Sequence, residues 1–156
     1  MKDYVAEAKK IIEENIYLTV ATSDGSKPWV SPLFFAYDKD YNFYWASGKD
    51  ALHSRFIRSN QKVAIVIFDS RAPEGEGDGV YFESTCVELM TAEELKVAMD
   101  ILNRRVTKEE FRIKDLSGVT GKGMWLIYKA STQKLYKLTD EIVNGQYLDK
   151  RVEITL

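Results

Sequence analysis

Short runs of β-branched and aromatic residues recur along this chain between turn signals, and the helical segments are inserted among them rather than alternating with them. That order restricts the fold more than any other feature. A doubly wound α/β sheet needs a helix between successive strands. Short strands with only occasional helices favour instead a mainly β chain: an antiparallel barrel with peripheral helices.

The elements can be placed from their own residues. Asp3 caps a first helix on which Val5, Ala8, Ile11 and Ile12 share a side, and Asn15 ends it. Tyr17 to Thr22 reads as a strand, stopped by the turn Ser23-Asp24-Gly25-Ser26. Trp29 to Tyr37 reads as the second strand. Pro32 inside it has no N–H for a ladder, so it marks a bulge, a sheet edge, or a stretch with something other than a strand alongside. Asp38-Lys39-Asp40 turns into a third strand, Phe43 to Ser47, and a helix follows from about Asp50 to Ser59. Val63 to Phe68 is apolar throughout and is expected to be buried on both faces. A loop rich in Pro, Gly and acid from Ala72 to Gly79 leads to a long strand, Val80 to Leu89. Thr91-Ala92-Glu93-Glu94 is a capping box, opening a helix whose Leu95, Ala98, Met99 and Leu102 share a face. A short helix over Lys108 to Leu116, a turn over Ser117 to Gly123, and strands at Met124 to Ala130, Lys134 to Leu138 and Arg151 to Leu156 complete the pattern, with an Asn144-Gly145 turn before the last. The 156 residues read as one domain, long enough to bury a core without metals or disulfides.

Charge and cysteine content narrow the function. The 22 basic and 24 acidic residues are mixed along the chain, with no cationic stripe of the kind that binds nucleic acid. Cys86 is the only cysteine, so neither an intramolecular disulfide nor a cysteine-based zinc site is possible, and it reads as a buried thiol. No apolar run approaches the roughly 20 residues of a membrane span, and the N-terminus opens an amphipathic helix. A cytoplasmic protein with no membrane or nucleic-acid partner is expected.

Several chemistries drop out. There is no His-Glu-x-x-His, no Gly-x-Ser-x-Gly elbow, and a single histidine. Gly118 to Gly123 has the wrong spacing for a phosphate loop, and the acids within Gly75 to Gly79 would repel a phosphate. One constellation remains. Ser47 ends a strand, and Lys49, Asp50, His53 and Arg55 stand at the following helix start, where backbone N–H groups are free to face an anion. Asp50, as an N-cap, would use some of those groups itself. A half-buried helix histidine without a role is the plainer reading of His53. The strand aromatics, from Trp29 through Phe34, Phe35, Tyr37, Phe43, Tyr44 and Trp45, exceed what one thin barrel can bury, so some cover helices or a second subunit.

Taken in order, Pro28-Trp29-Val30-Ser31-Pro32, Tyr44-Trp45-Ala46-Ser47, Asp50 to Arg55, Asn60-Gln61-Lys62-Val63-Ala64, Gly75 to Tyr81 and Asp149 to Ile154 resemble the pyridoxamine 5'-phosphate oxidase-like FMN-binding split barrels. The resemblance implies FMN in a groove at a homodimer interface, and an oxidoreductase or flavin reductase acting on a small molecule. It puts backbone groups of Ser31, Pro32 and Leu33 along the flavin ring. It sets Ala46, Ser47, His53 and Arg55 at the phosphate and brings Gly79 and Val80 to the ring from another side. Against the vitamin-salvage enzymes, the basic residues at both ends of the Val30 to Phe35 segment are apolar here. The Arg-Lys pair falls on Leu52-His53, and the substrate-phosphate motif Arg-x-His falls on Lys134-Leu135-Tyr136. These departures imply that pyridoxamine 5'-phosphate is not the substrate. No residue stands out as a general acid or base. A non-catalytic flavin-, deazaflavin- or haem-binding module and a ligand-free association domain stay open as alternatives.

Overall fold

The structure is a computed structural model that describes residues 3–120 and 123–156, apart from the side chains of 140–142 and 147–149. Its elements are α1 (Tyr4–Glu14), β1 (Tyr17–Ser23), β2 (Pro28–Phe34), β3 (Ala36–Tyr37), β4 (Phe43–Gly48), α2 (Leu52–Ser59), β5 (Lys62–Phe68), β6 (Gly79–Glu88), α3 (Ala92–Arg105), β7 (Trp125–Val143) and β8 (Gln146–Glu153). The strands form one antiparallel sheet in the order β2-β1-β5-β6-β7-β4-β3, with β8 pairing on β7. It curls into a half-barrel with three helices, as the sequence reading expects.

Local chemistry explains the turns. The Asp3 carboxylate caps α1 by accepting from the Ala6 N–H at 3.0 Å. In the β1–β2 hairpin, Asp24 Oδ1 accepts from the Ser26 and Lys27 N–H groups at 2.9 and 2.8 Å. Asn144 and Gly145 both have positive φ, 53° and 77°, which is the two-residue hairpin turn that links β7 to β8. Thr91 and Glu94 cap α3 reciprocally, as the capping box requires.

One strand makes the barrel and also splits it. The segment read as a single strand from Trp29 to Tyr37 changes partner at Phe35: β2 pairs with β1, and β3 pairs with β4. The Phe35 N–H donates to the Ile16 carbonyl at 3.3 Å, which fixes the phase of the ladder. Leu33, Ser31 and Trp29 therefore bond to β1, while Val30, Pro32 and Phe34 turn their backbone groups to the open edge. Pro32 thus costs the sheet no hydrogen bond, and the edge reading is the one realised. Beyond the switch, β2 and β4 are not neighbours in the sheet, and the wall between them is open.

The barrel interior is packed with Leu18, Val20, Phe35, Phe43, Trp45, Ile65, Ile67, Phe82, Cys86 and Tyr128, joined by Ala8 and Ile12 of α1 and Ile57 of α2. Outside, α3 lays Leu95, Ala98, Ile101 and Leu102 over Ala36, Tyr44 and Ile127. The Lys137 ammonium lies inside the barrel end, 2% exposed, paired with Asp78 and, at 3.5 Å, with Glu7 of α1.

Several expectations are corrected. β5 is not buried on both faces: Val63, Ile65 and Ile67 face the core, but Ala64 and Phe68 are exposed, because no element among the described residues covers that side. α2 begins at Leu52 with Ala51 as N-cap and no side-chain cap, so Asp50 does not occupy its free N–H groups. Met124 to Ala130 and Lys134 to Leu138 are one strand, β7, whose pairing with β6 shifts register between Glu83 and Ser84. A bulge absorbs the polar stretch that looked like a break. The last strand begins earlier than expected, at Gln146. Only single turns of 3-10 helix, Glu109–Phe111 and Leu116–Gly118, form where a helix over Lys108 to Leu116 was expected. Gly121 and Lys122 of the expected 117–123 turn fall outside the described residues.

Candidate functional site

The split has an inner and an outer side. On the inner side, Ser31 comes from β2, Ser47 from β4 and His53 from the first turn of α2. His53 Nδ1 is hydrogen-bonded to Ser31 Oγ at 3.1 Å and His53 Nε2 to Ser47 Oγ at 2.9 Å. All three are buried, with His53 8% exposed. Burial holds the imidazole below its ordinary pKa, since a charged ring is disfavoured where water is excluded. The neutral ring suits this place, offering one donor and one acceptor to two hydroxyls that can each do either.

On the outer side lies a groove of about 880 Å³. Phe34 of β2 and Ala46 of β4 form its lips. Tyr17, Phe111, Ile113 and Trp125 supply apolar wall, and Lys108, Arg112 and Lys114 bring positive charge against Glu110 and Asp115. Part of that wall is the segment from Val106 to Val119, which follows α3 and folds back over the end of β4 and β7. Asn103 pins it, donating to the Ile113 carbonyl at 2.9 Å and accepting from the Ile113 N–H at 3.0 Å. The volume and the mainly apolar lining suit a ligand of cofactor size.

The ten residues singled out from sequence fall into groups. Ser31, Ser47 and His53 meet, but face one another rather than open solvent. Ala46 lines the groove. Pro32 and Leu33 lie on the edge strand beside it, with Pro32 exposed. Lys49 and Arg55 are exposed around the α2 start. The Lys49 backbone is held there, its carbonyl accepting from Arg58 at 2.6 Å and its N–H donating to the Met124 carbonyl at 3.3 Å. Gly79 and Val80 are buried at the start of β6, separated from β2 in the sheet by β1 and β5, and do not line the groove of this chain. Sequence reasoning missed Tyr17, Trp125 and the wall from Val106 to Val119. The signal was Phe111 and Ile113 standing apolar in a polar stretch.

An antiparallel barrel that opens where one strand changes partner, with a groove at the opening, defines a split-barrel protein. The chain belongs to the pyridoxamine 5'-phosphate oxidase family, whose model matches residues 4–127. No match to a curated protein sequence was found. Among solved structures, a heme binding protein from Mycobacterium smegmatis superposes with a TM-score of 0.73 at 16% identity, covering 99% of this chain and 59% of that one. The heme storage protein HutZ of Vibrio cholerae gives 0.68 at 18% identity, covering 83% of this chain and 91% of that one. An FAD-binding protein from Mesorhizobium loti gives 0.62 at 17% identity, covering 86% and 92% respectively. At such identities the likeness is one of fold. The chain spans less than two thirds of the length of the first of them. No helix among the described residues is long and apolar enough to cross a membrane.

Proposed function

We propose that this protein binds FMN in the groove at the split and works as a homodimer, an FMN-dependent oxidoreductase or flavin reductase acting on a small molecule. The observation that carries the reading is the pairing of an unladdered strand edge, Val30 to Phe34, with a cofactor-sized groove at whose lips Phe34 and Ala46 stand. The free backbone groups of Val30, the Pro32 carbonyl and Phe34 are available to the polar edge of a flavin ring, and the apolar wall suits its faces. The bound flavin would carry the electrons, and the chain's part is position and exclusion of water. Family membership supports the same cofactor.

A second copy is supported by the bare outer face of β2, β1 and β5, where Val30, Tyr17 and Phe68 are 60%, 57% and 46% exposed. Gly79 and Val80 lie off the groove of their own chain, so a role for them at the ring requires the partner's β6. Calorimetry with FMN tests the reading: binding at tens of micromolar or tighter, about −6 kcal/mol or better, with flavin bands in the visible spectrum, is expected. Silence in both assays would end it. Light scattering of the loaded protein is expected to give the dimer mass.

Haem is the second reading, favoured by two structural neighbours that carry that ligand in their names. His53 weighs against it as an axial ligand, because it is the chain's one histidine and both of its nitrogens are already bonded. A haem titration showing no Soret shift is expected. Pyridoxamine 5'-phosphate is an expected non-substrate. At the position of the family's cationic clamp, Lys134 is exposed, Leu135 is buried, and the Tyr136 hydroxyl donates to Glu83 at 2.8 Å, leaving one cation and no fork to grip a phosphate. An assay for pyridoxal 5'-phosphate after incubation with oxygen is expected to stay at background.

A further inference from the structure

We propose that His53 is a positioning residue: its imidazole latches β2 to β4 across the split and so sets the width of the groove in which the flavin binds. The proposal rests on the flavin reading above and gives the histidine a part other than the phosphate contact implied by the family resemblance. Everywhere else around the barrel, neighbouring strands are held by ladders; between β2 and β4 there is none. Among the described residues, His53 is the one side chain whose hydrogen bonds reach both strands.

The placement of the two serines ties the latch to the groove. Ser31 is three residues from the lip residue Phe34 along β2, and Ser47 adjoins the lip residue Ala46 on β4. Side chains alternate faces along a strand, so the serines point into the barrel while the lips point out from the same two strands. A rigid ring bonded at both nitrogens therefore fixes the separation of the lips from behind. The ring itself is held by α2, whose Phe56 and Ile57 are buried and whose Arg58 donates to the Tyr128 hydroxyl at 3.3 Å.

A latch and a phosphate contact behave differently. Loosening the lips weakens the grip on the ring system and affects FMN and riboflavin alike, whereas a lost phosphate contact affects FMN alone. The experiment is a titration of Ser31→Ala, Ser47→Ala and the double variant, in the full-length chain, with FMN and with riboflavin. Each single substitution is expected to weaken both flavins by the same factor, about tenfold, the equilibrium equivalent of one hydrogen bond. The double variant is expected to fall no further than either single, because breaking one bond already opens the bridge. Unchanged affinities, a loss confined to FMN, or full additivity would each overturn the latch.

Nitrogen NMR of the single imidazole supplies a readout that needs no flavin. Both ring nitrogens are expected to carry the shifts of a neutral, doubly hydrogen-bonded ring, with Ser31→Ala moving Nδ1 and Ser47→Ala moving Nε2. A ring that titrates at the ordinary 6.5 with solvent-like shifts would refute the latch. Failure of the wild-type chain to take up FMN, with the NMR signature intact, would instead remove the flavin reading on which the groove's role depends, and the proposal about groove width would fall with it.

Discussion

Over β3, β4 and β7 the outward side chains Ala36, Tyr44 and Ile127 are buried under α3, while over β2, β1 and β5 the outward side chains Val30, Tyr17 and Phe68 stand in solvent. Both regions are strands of the same sheet with the same inward alternation, and both carry apolar residues outward. They differ in what the chain supplies next. After β6 it supplies a capped amphipathic helix that reaches back over β4 and β7. Beside β2, β1 and β5 the described residues supply no such helix: the segment from Val106 to Val119 reaches only the Tyr17 and Phe34 end, across the groove, and α1 and α2 pack against the barrel interior. An apolar outer face left bare by the described residues is the surface on which the proposed dimer can be tested.

The largest test of this contrast is Leu95→Ala under α3. Leu95 is 1% exposed, and its truncation is expected to cost about 2–5 kcal/mol in denaturant unfolding. A cost near zero would mean that α3 is only loosely seated and that the two faces are alike. The counterpart on the bare face is Val66→Asp, in the row Pro32, Thr19, Val66 and Tyr81. In the isolated protomer it is expected to cost about 1 kcal/mol, the span of strand preference, because Val66 is half-buried in mid-strand, yet to convert the dimer to monomer in light scattering. A dimer that survives it would move the partner to another surface.

Thr91→Ala sharpens the covered side. Losing the reciprocal cap of α3 is expected to cost about 1 kcal/mol by chemical denaturation, with the barrel intact. The smallest effect is the acid response of the split. The folded pKa of His53 is depressed by burial from the ordinary 6.5, so below that value the unfolded chain binds more protons than the folded one. Stability should therefore be full above pH 6.5 and fall as pH drops from 6.5 through the folded pKa. Thermal melts of wild type and His53→Gln between pH 7.5 and pH 5, about the range in which histidine titrates, check the sign: the slope of the variant should be flatter.

Most of the elements were legible because each is coded within a few residues. Asp3, the Ser23 to Ser26 turn, Asn144-Gly145 and the Thr91–Glu94 box act through their own backbone, and the alternation of Leu18, Val20 and Thr22 shows which side of a strand goes in. The errors fell where a distant partner decides. The break expected between Ala130 and Lys134 vanished because β6 tolerates a bulge there. The double burial expected of β5 failed because burial of its second face depends on a covering element, and none of the described residues forms one.

The candidate site divides in the same way. That Ser47 and His53 belong together could be suspected from a strand end running into a helix start, whereas Ser31 was expected along the flavin ring and its meeting with His53 was not foreseen. The sequence by itself determined the strand alphabet, the caps of α1 and α3, that Pro32 cannot donate to a ladder, and the presence of a single imidazole; that Pro32 lies on an edge is read only from the strand order. Only the tertiary structure decided that this imidazole turns inward to two serines instead of outward to an anion, that one strand would change partner at Phe35, and that the segment after α3 would wall a groove there. Those outcomes depend on which strands meet, and on hydrogen bonds between residues 22 and 6 positions apart. Periodicity and local propensity carry no term for a contact made across the open seam of a barrel.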